Sequence, residues 1–249
     1  MASRLRITGV ILILIGIVGL GASGYTYLRT QESADSLQGF SEAQDVNLSY
    51  NDEGQLIDRG TTEGADAIIE LLGETWRWPI VDSELDSDDP LVDTATEYMY
   101  QMATIAYHTL HGTQNVVLTQ TVEWDGDGDG EVAADAPVYS GGEWDPSTSG
   151  EDAIFNPGTY EVPVNERYWT QFNRLHPLDG PAREQTWSGT VHGLFAQLGV
   201  GAVTASLAQV GVGIAAVVLL MGIGFLIAGG LLIWVAAGAK KEEEPAAAA

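Results

Sequence analysis

From Gly193 to Ala239 the chain runs without an Asp, Glu, Lys, Arg or His, then meets Lys240-Lys241. As one helix this run would reach roughly 70 Å, about twice the ~30 Å hydrocarbon core of a bilayer. It therefore holds a membrane span and something more. The span is predicted at 211–237. Residues 193–210 carry Gln197, Thr204, Ser206 and Gln209, and are expected to be the outer part of the same helix. The rival is a hairpin of two spans turning at Gly211–Gly213. It would move the two lysines across the membrane, against the tendency of basic residues to stay in the cytoplasm. A second apolar run, Leu5 to Ala22, follows Arg4 and Arg6. Extended to Leu28 it is long enough to span, with Tyr25 and Tyr27 as interfacial anchors. The small residues Ala22-Ser23-Gly24 would suit signal cleavage, but the run is long for a signal peptide, so residues 1–28 are expected to remain as an anchor.

Between the runs the period of the pattern changes repeatedly. Residues 29–45 are polar and continue the first helix. Val46, Leu48 and Tyr50 alternate with polar residues, and Asn51-Asp52-Glu53-Gly54 offers a turn toward a partner at Gln55–Asp58. A short helix is expected at 63–72, closed by Gly73. Leu91, Ala95, Tyr98, Met99, Met102, Ile105, Ala106 and Leu110 recur at three and four residues, which marks an amphipathic helix capped by Asp89-Pro90 and ended at Gly112. Val116, Leu118, Val122 and Trp124 are expected to share one strand face, and Tyr160, Val162 and Val164 to form another strand. Residues 137–157, rich in Gly, Pro, Ser and Asp, read as irregular surface. Asn165 is placed to cap a short helix carrying Tyr168, Trp169 and Phe172, and a further helix is expected from Ala182. The resulting fold class is α+β: a domain of helices and short antiparallel strands over 29–192, between an N-terminal transmembrane helix and the helical segment 193–239. A disordered cytoplasmic tail is expected over 240–249.

Charge sharpens this layout. The chain carries −25 overall, and every acid except Glu242, Glu243 and Glu244 lies between the apolar runs, whereas both lysines lie beyond them. Nucleic acid is a poor partner for such a surface, because phosphate binding needs a basic patch. In dilute buffer the carboxylates repel and loosen the compact state; at 1 M salt, screening over ~3 Å removes that cost. The lysine-free acidic surface resembles proteins of salt-loving archaea, and the chain as a whole resembles a haloarchaeal-type two-pass membrane protein. That resemblance rests on composition and layout. It covers no motif and transfers no residue. It implies an envelope location, with both termini cytoplasmic and the domain outside. There is no cysteine, hence no disulfide framework and no thiolate metal site.

Candidate chemistry is sparse. Asp125-Gly-Asp127-Gly-Asp129-Gly resembles the first half of an EF-hand or dockerin calcium loop, in which alternate carboxylates point at one centre and Gly130 permits the turn. The twelfth position is Ala136 rather than Glu, and Asp135 falls one residue early. Asp125, Asp127, Asp129 and Asp135 are the expected calcium ligands, set against a plain acidic turn. His108 and His111, three apart, can present two imidazoles to a metal or simply favour the negative end of a helix. Arg77 between Trp76 and Trp78 can stack on an indole or on a ligand, but the favoured reading is two core tryptophans covered by the arginine. Asn47-Leu48-Ser49 matches the N-glycosylation acceptor pattern. No nucleophile elbow, phosphate loop, dinucleotide fingerprint or zinc-protease helix is present, so no catalytic residue is assigned. The expected partners are the bilayer and other envelope or membrane proteins. A second copy is also possible through small-residue faces such as Gly201/Ala205, Gly211/Ala215 and Gly224/Ala228. A binding or assembly module is favoured, and an exofacial metal-assisted hydrolase is the alternative.

Overall fold

The computed structural model describes residues 1–243, with side chains through residue 238. It is a mixed helix and strand protein that divides into two compact units: residues 1–46, 93–95 and 201 onward, and residues 47–92 with 96–200.

The first unit is a pair of long helices. Helix α1 spans Ala2–Gln44 and ends on Asp45, whose left-handed backbone (φ 51°) lets its N–H reach the Ser41 carbonyl. Helix α5 spans Gly189–Glu243 without interruption, so residues 193–210 continue the same helix as expected and the rival hairpin break at Gly211–Gly213 does not occur. α5 also runs through Lys240–Glu243, where a disordered tail was expected; the rest of that tail lies outside the described residues. Both helices are long and apolar enough to cross a membrane. Only 11% of the most apolar stretch of each is buried, unlike the core helix of a soluble protein.

What is buried is a narrow seam. A Cβ on Gly9 would meet the Gly229 carbonyl at 2.8 Å, and one on Gly16 would meet the Gly222 carbonyl at 2.8 Å. One heptad further, the Ser23 hydroxyl donates to the Ala215 carbonyl at 2.7 Å. Each step of seven along α1 is matched by seven back along α5, so the helices run antiparallel with a 3.5-residue contact period. Small residues let the backbones touch, and that close approach is what holds helices together where lipid supplies no hydrophobic drive. The sequence pairs at spacing four are only partly used. Gly201, Ala205 and Ala215 are buried, whereas Ala228 is exposed and Gly224 has open space beside it. The three small residues 22–24, which would suit a cleavage site, place Ser23 on this seam.

The second unit holds helices α2 (Thr62–Glu70), α3 (Ala95–Leu110, entering the unit at Thr96), α4 (Asp179–Thr186) and the first turns of α5, with six short strands. Strands β1 (Thr113–Leu118), β6 (Gly158–Pro163) and β4 (Gly142–Glu143) form one sheet in the order β1-β6-β4. Strands β2 (Val122–Trp124), β5 (Ala153–Phe155) and β3 (Val138–Tyr139) form another in the order β2-β5-β3. The β1/β6 and β2/β5 ladders are antiparallel as expected, but β4 and β3 pair parallel to their neighbours. The stretch 137–157 is thus not irregular surface. It supplies three strands and two fully buried rings, Trp144 and Phe155. They pack with Val116, Tyr160, Val162 and Leu178 into one core cluster, while Leu110, Val164, Phe172 and Trp187 form a second.

Other boundaries differ for local reasons. The helix expected from Asp89-Pro90 starts at Ala95 instead, because the Pro90 carbonyl accepts from Leu48 N–H (2.8 Å) in a bridge between Asn47 and Leu91. The Thr96 amide in the first turn of α3 donates to the Glu84 carboxylate at 2.9 Å, where an acid suits the helix dipole. Thr61 caps α2 by accepting from Gly64 N–H. Gly73 does not close that helix, which continues as a wider turn over Leu71–Thr75. The expected turn forms at 51–54, where Gly54 N–H donates to the Asn51 carbonyl at 3.0 Å, but the expected strands at 46–58 shrink to isolated bridges, Asn47 with Leu91, Tyr50 with Leu56 and Asp58 with Thr61. The helix expected from Ala182 breaks at Trp187, whose indole donates to the Arg167 carbonyl at 3.0 Å. Asn165 caps no helix; its side chain accepts from Gly112 N–H.

Candidate functional site

Four places in the second unit gather chemistry. The first is the aspartate turn. Register explains its composition: in the β2/β5 ladder Trp124 faces Ala153, so Asp125 and Asp152 leave the two strands side by side. Asp125, Asp127 and Asp152 each offer a carboxylate oxygen within 4.8 Å of the others. Asp129 and Asp135, expected as ligands, are not in this group. Asp129 instead accepts from Glu131 N–H at 2.9 Å. Asp125 accepts from Gly128 and Gly130 N–H (2.7 and 2.8 Å), and Asp152 from Gly126 and Ala133 N–H (2.9 and 2.7 Å). The backbone donors to Asp152, those of Ala133 and Gly126, hold its carboxyl below the usual range. Gly126 is obligatory, since a Cβ there would overlap the Glu151 backbone. The turn can hold a hard cation by oxygen ligation.

The second place is the end of α3. The two histidines part company there. His108 Nε2 meets the Asp58 carboxylate at 3.0 Å, half-buried. His111 Nδ1 lies 2.6 Å from the Tyr107 carbonyl and its ring packs on Tyr107 at 4.2 Å. They do not converge on one metal.

The third place is a buried polar knot that sequence reasoning passed over. His176 is 1% exposed and stacks on Trp144 at 4.4 Å. Its Nδ1 accepts from the amides of Leu178 and Asp179 (3.1 and 3.2 Å), so the proton sits on Nε2. Burial pushes its pKa down to about 4, against an opposing pull from Asp179. Asp179, fully buried, accepts from Arg167 and from Asn173 N–H, each at 2.6 Å. The Arg167 guanidinium lies 4.0 Å over the Phe172 ring, and Arg183 lies 3.9 Å over Trp169. Those two arginines, not Arg77, make the cation–π contacts recorded among the described residues. The knot ties Arg167, Phe172, Asn173, His176 and Asp179 together.

The fourth is a pocket of about 520 Å³ lined by Glu70, Tyr107, His111, Glu166, Tyr168 and Gln171, among others. It brings one imidazole and two carboxylates together while leaving His108 on its Asp58 contact. No family model matches the chain, and neither a curated protein nor a solved structure is similar to it.

Proposed function

We propose that this chain is a two-pass membrane protein with both termini cytoplasmic. Its acidic domain would stand outside a salt-adapted cell as a binding or assembly module. The observation that carries this reading is the antiparallel, small-residue seam between two apolar helices. It spends each helix's close-packing face on the other and leaves broad aliphatic faces, such as Ile11, Leu14 and Ile15 on α1 and Leu220 and Ile227 on α5, exposed. In water such faces would drive aggregation; in a bilayer they are solvated. Antiparallel pairing brings Arg4 and Arg6 to the same end as Lys240 and Lys241, in keeping with the positive-inside tendency. The aromatic-rich region at 160–187 is the natural contact surface. In the same reading the Asp125–Asp127–Asp152 turn is the place for a structural calcium ion.

Protease added to intact cells in high salt tests the orientation. Loss of the domain with survival of the helix pair is expected; a domain protected from outside and digested from the cytosolic side would overturn it. Affinity capture from membranes at molar salt tests the module: a stoichiometric partner or second copy is expected, and a solitary monomer would refute it.

A further inference from the structure

We propose that the groove beside Arg29, where α1 and α5 leave the apolar seam, is a site for the phosphate of an anionic membrane lipid. This rests on the two-pass membrane reading and names the lipid chemistry that one place on the helix pair selects. Position comes first. Ile7 to Leu28 carry no charge, and Arg6 and Arg29 bracket them. As helix this run rises roughly 33 Å, against the ~30 Å of a hydrocarbon core. With Arg6 at one headgroup level, Arg29 stands at the other. It is the one base between Arg6 and Arg59.

Shape and composition come next. At this level a groove of about 390 Å³ opens between the helices, lined by Tyr25, Thr26, Arg29 and Thr30 of α1 and by Leu207 and Ala208 of α5, among others. The helices still touch beside it, since a Cβ on Gly211 would overlap the Thr30 side chain. No Asp, Glu or His lines the groove. In a chain with 35 acids and 10 bases, a lining that holds a guanidinium and no carboxylate runs against the background rather than with it. Toward the bilayer centre the same stripes turn aliphatic. Val18 and Ala22 precede Tyr25 and Arg29 at steps of three and four on α1, and Leu207 is followed by Gly211, Ile214 and Val218 on α5. Val18, Leu207 and Ile214 are exposed, so an acyl chain can lie below a headgroup seated at Arg29.

Hydrogen-bond inventory sets the sign of the ligand. Arg29 gives one of its five N–H donors to Glu32 (2.5 Å), in an exposed pair whose carboxylate lies outside the groove lining. The other four are unspent among the described residues. The Ser33 hydroxyl donates to the Arg29 carbonyl (3.1 Å), and Thr204 already has a partner. The hydroxyls of Tyr25, Thr26 and Thr30 can each donate or accept, so they turn to suit either sign. The guanidinium cannot turn, and it decides. A cation would meet that charge with no carboxylate to offset it. A phosphate matches the guanidinium fork with two parallel hydrogen bonds and keeps oxygens for the hydroxyls. A free phosphate ion would gain nothing from the aliphatic stripes; a lipid uses both.

The test uses the full chain in bilayers of a phosphate-free galactolipid at 1 M potassium chloride, where charges are screened over ~3 Å and only contact pairs survive. Spin-labelled phosphatidylglycerol and spin-labelled diacylglycerol are compared by the fraction immobilised against the protein. Phosphatidylglycerol should be preferred about fivefold, the scale of one basic side chain against an anionic lipid. Arg29→Gln should abolish the preference and Arg29→Lys should keep part of it. Arg6→Gln, at the other end of the charge-free run, should leave it unchanged. Excess inorganic phosphate should not displace the label. An undiminished preference in Arg29→Gln, an equal loss from Arg6→Gln, or displacement by inorganic phosphate overturns the site. If the chain immobilises both labels alike, the groove falls while the membrane reading stands; if it immobilises neither, both fall.

Discussion

The seam between α1 and α5 makes a prediction that adjacent residues can decide. Gly229 and Gly230 are neighbours on one helix, but about 100° apart around it, so Gly229 is buried on the seam and Gly230 is exposed. A Cβ on Gly229 would lie 2.6 Å from the Gly9 carbonyl oxygen, 2.8 Å from Ile13 Cγ1 and 3.0 Å from Ile13 N. Carbon and carbonyl oxygen rest at ~3.3–3.6 Å, so the overlap with Gly9 is about 0.7 Å or more. Two of the three obstacles are backbone and cannot rotate aside. The helices must part locally, and a gap of 0.5–1 Å forfeits about a quarter to a half of each dispersion contact around it. Gly229→Ala should therefore cost about 1–3 kcal/mol of helix pairing, the usual range for overpacking. Around Gly230 nothing lies within 4 Å, so Gly230→Ala should be neutral or slightly favourable through helix propensity. Because the chain has no native cysteine, Ser23→Cys with Ala215→Cys makes a clean reporter. Equilibration against a thiol redox buffer reads the effective concentration of the pair. Gly229→Ala should lower it about fivefold to a hundredfold, the equivalent of that cost, and Gly230→Ala should not lower it. Equal effects of the two alanines, or a disulfide that never forms, would refute the seam.

Three further outcomes follow from the second unit. His176 is held neutral in the fold, while the unfolded chain titrates near pH 6.5; the unfolded state therefore binds the extra proton between about 6.5 and about 4. Stability should be full above that window and fall through it by about 3 kcal/mol at molar salt, and His176→Asn should flatten the slope seen by denaturant titration; an unchanged slope would sink the assignment. Trp144→Ala, which empties the centre of the first core cluster, should cost about 3–5 kcal/mol in the same assay, and a loss under 1 kcal/mol would mean that 137–157 is not core. Calcium should perturb the fluorescence of Trp124, next to Asp125, and Asp152→Asn should abolish the response while Asp135→Asn spares it; silence at millimolar calcium, or the reverse pattern, removes the ion.

The helices were readable because their signal is local. A stripe at three and four residues, or an unbroken apolar run, survives in one dimension, and helices α1, α3 and α5 stand where that signal puts helix. The capping of α3 was not readable, because Asp89-Pro90 is a good local cap and loses only to a long-range bridge with Asn47. The strands of 137–157 were missed for a related reason. β3, β4 and β5 are two or three residues each, too short to show alternation, and serine, aspartate, glycine and proline fill most of the positions between them. The one visible clue was the aromatic pair Trp144 and Phe155 in a stretch otherwise built like a loop.

The same locality limits the sites. Three aspartates in six residues announce a cation turn, but which carboxylates converge is set by a ladder formed 27 residues apart between Asp125 and Asp152. Counting along a calcium-loop template therefore named Asp129 and Asp135, which the register leaves aside. Histidine spacing misled in the same manner. Residues three apart on a helix share a face, yet His108 and His111 sit at the last turn, where Asp58 on one side and Tyr107 on the other capture them separately. In a chain so rich in carboxylates, composition cannot say which acids matter. Pairing register can, because it decides which of them are carried to one place.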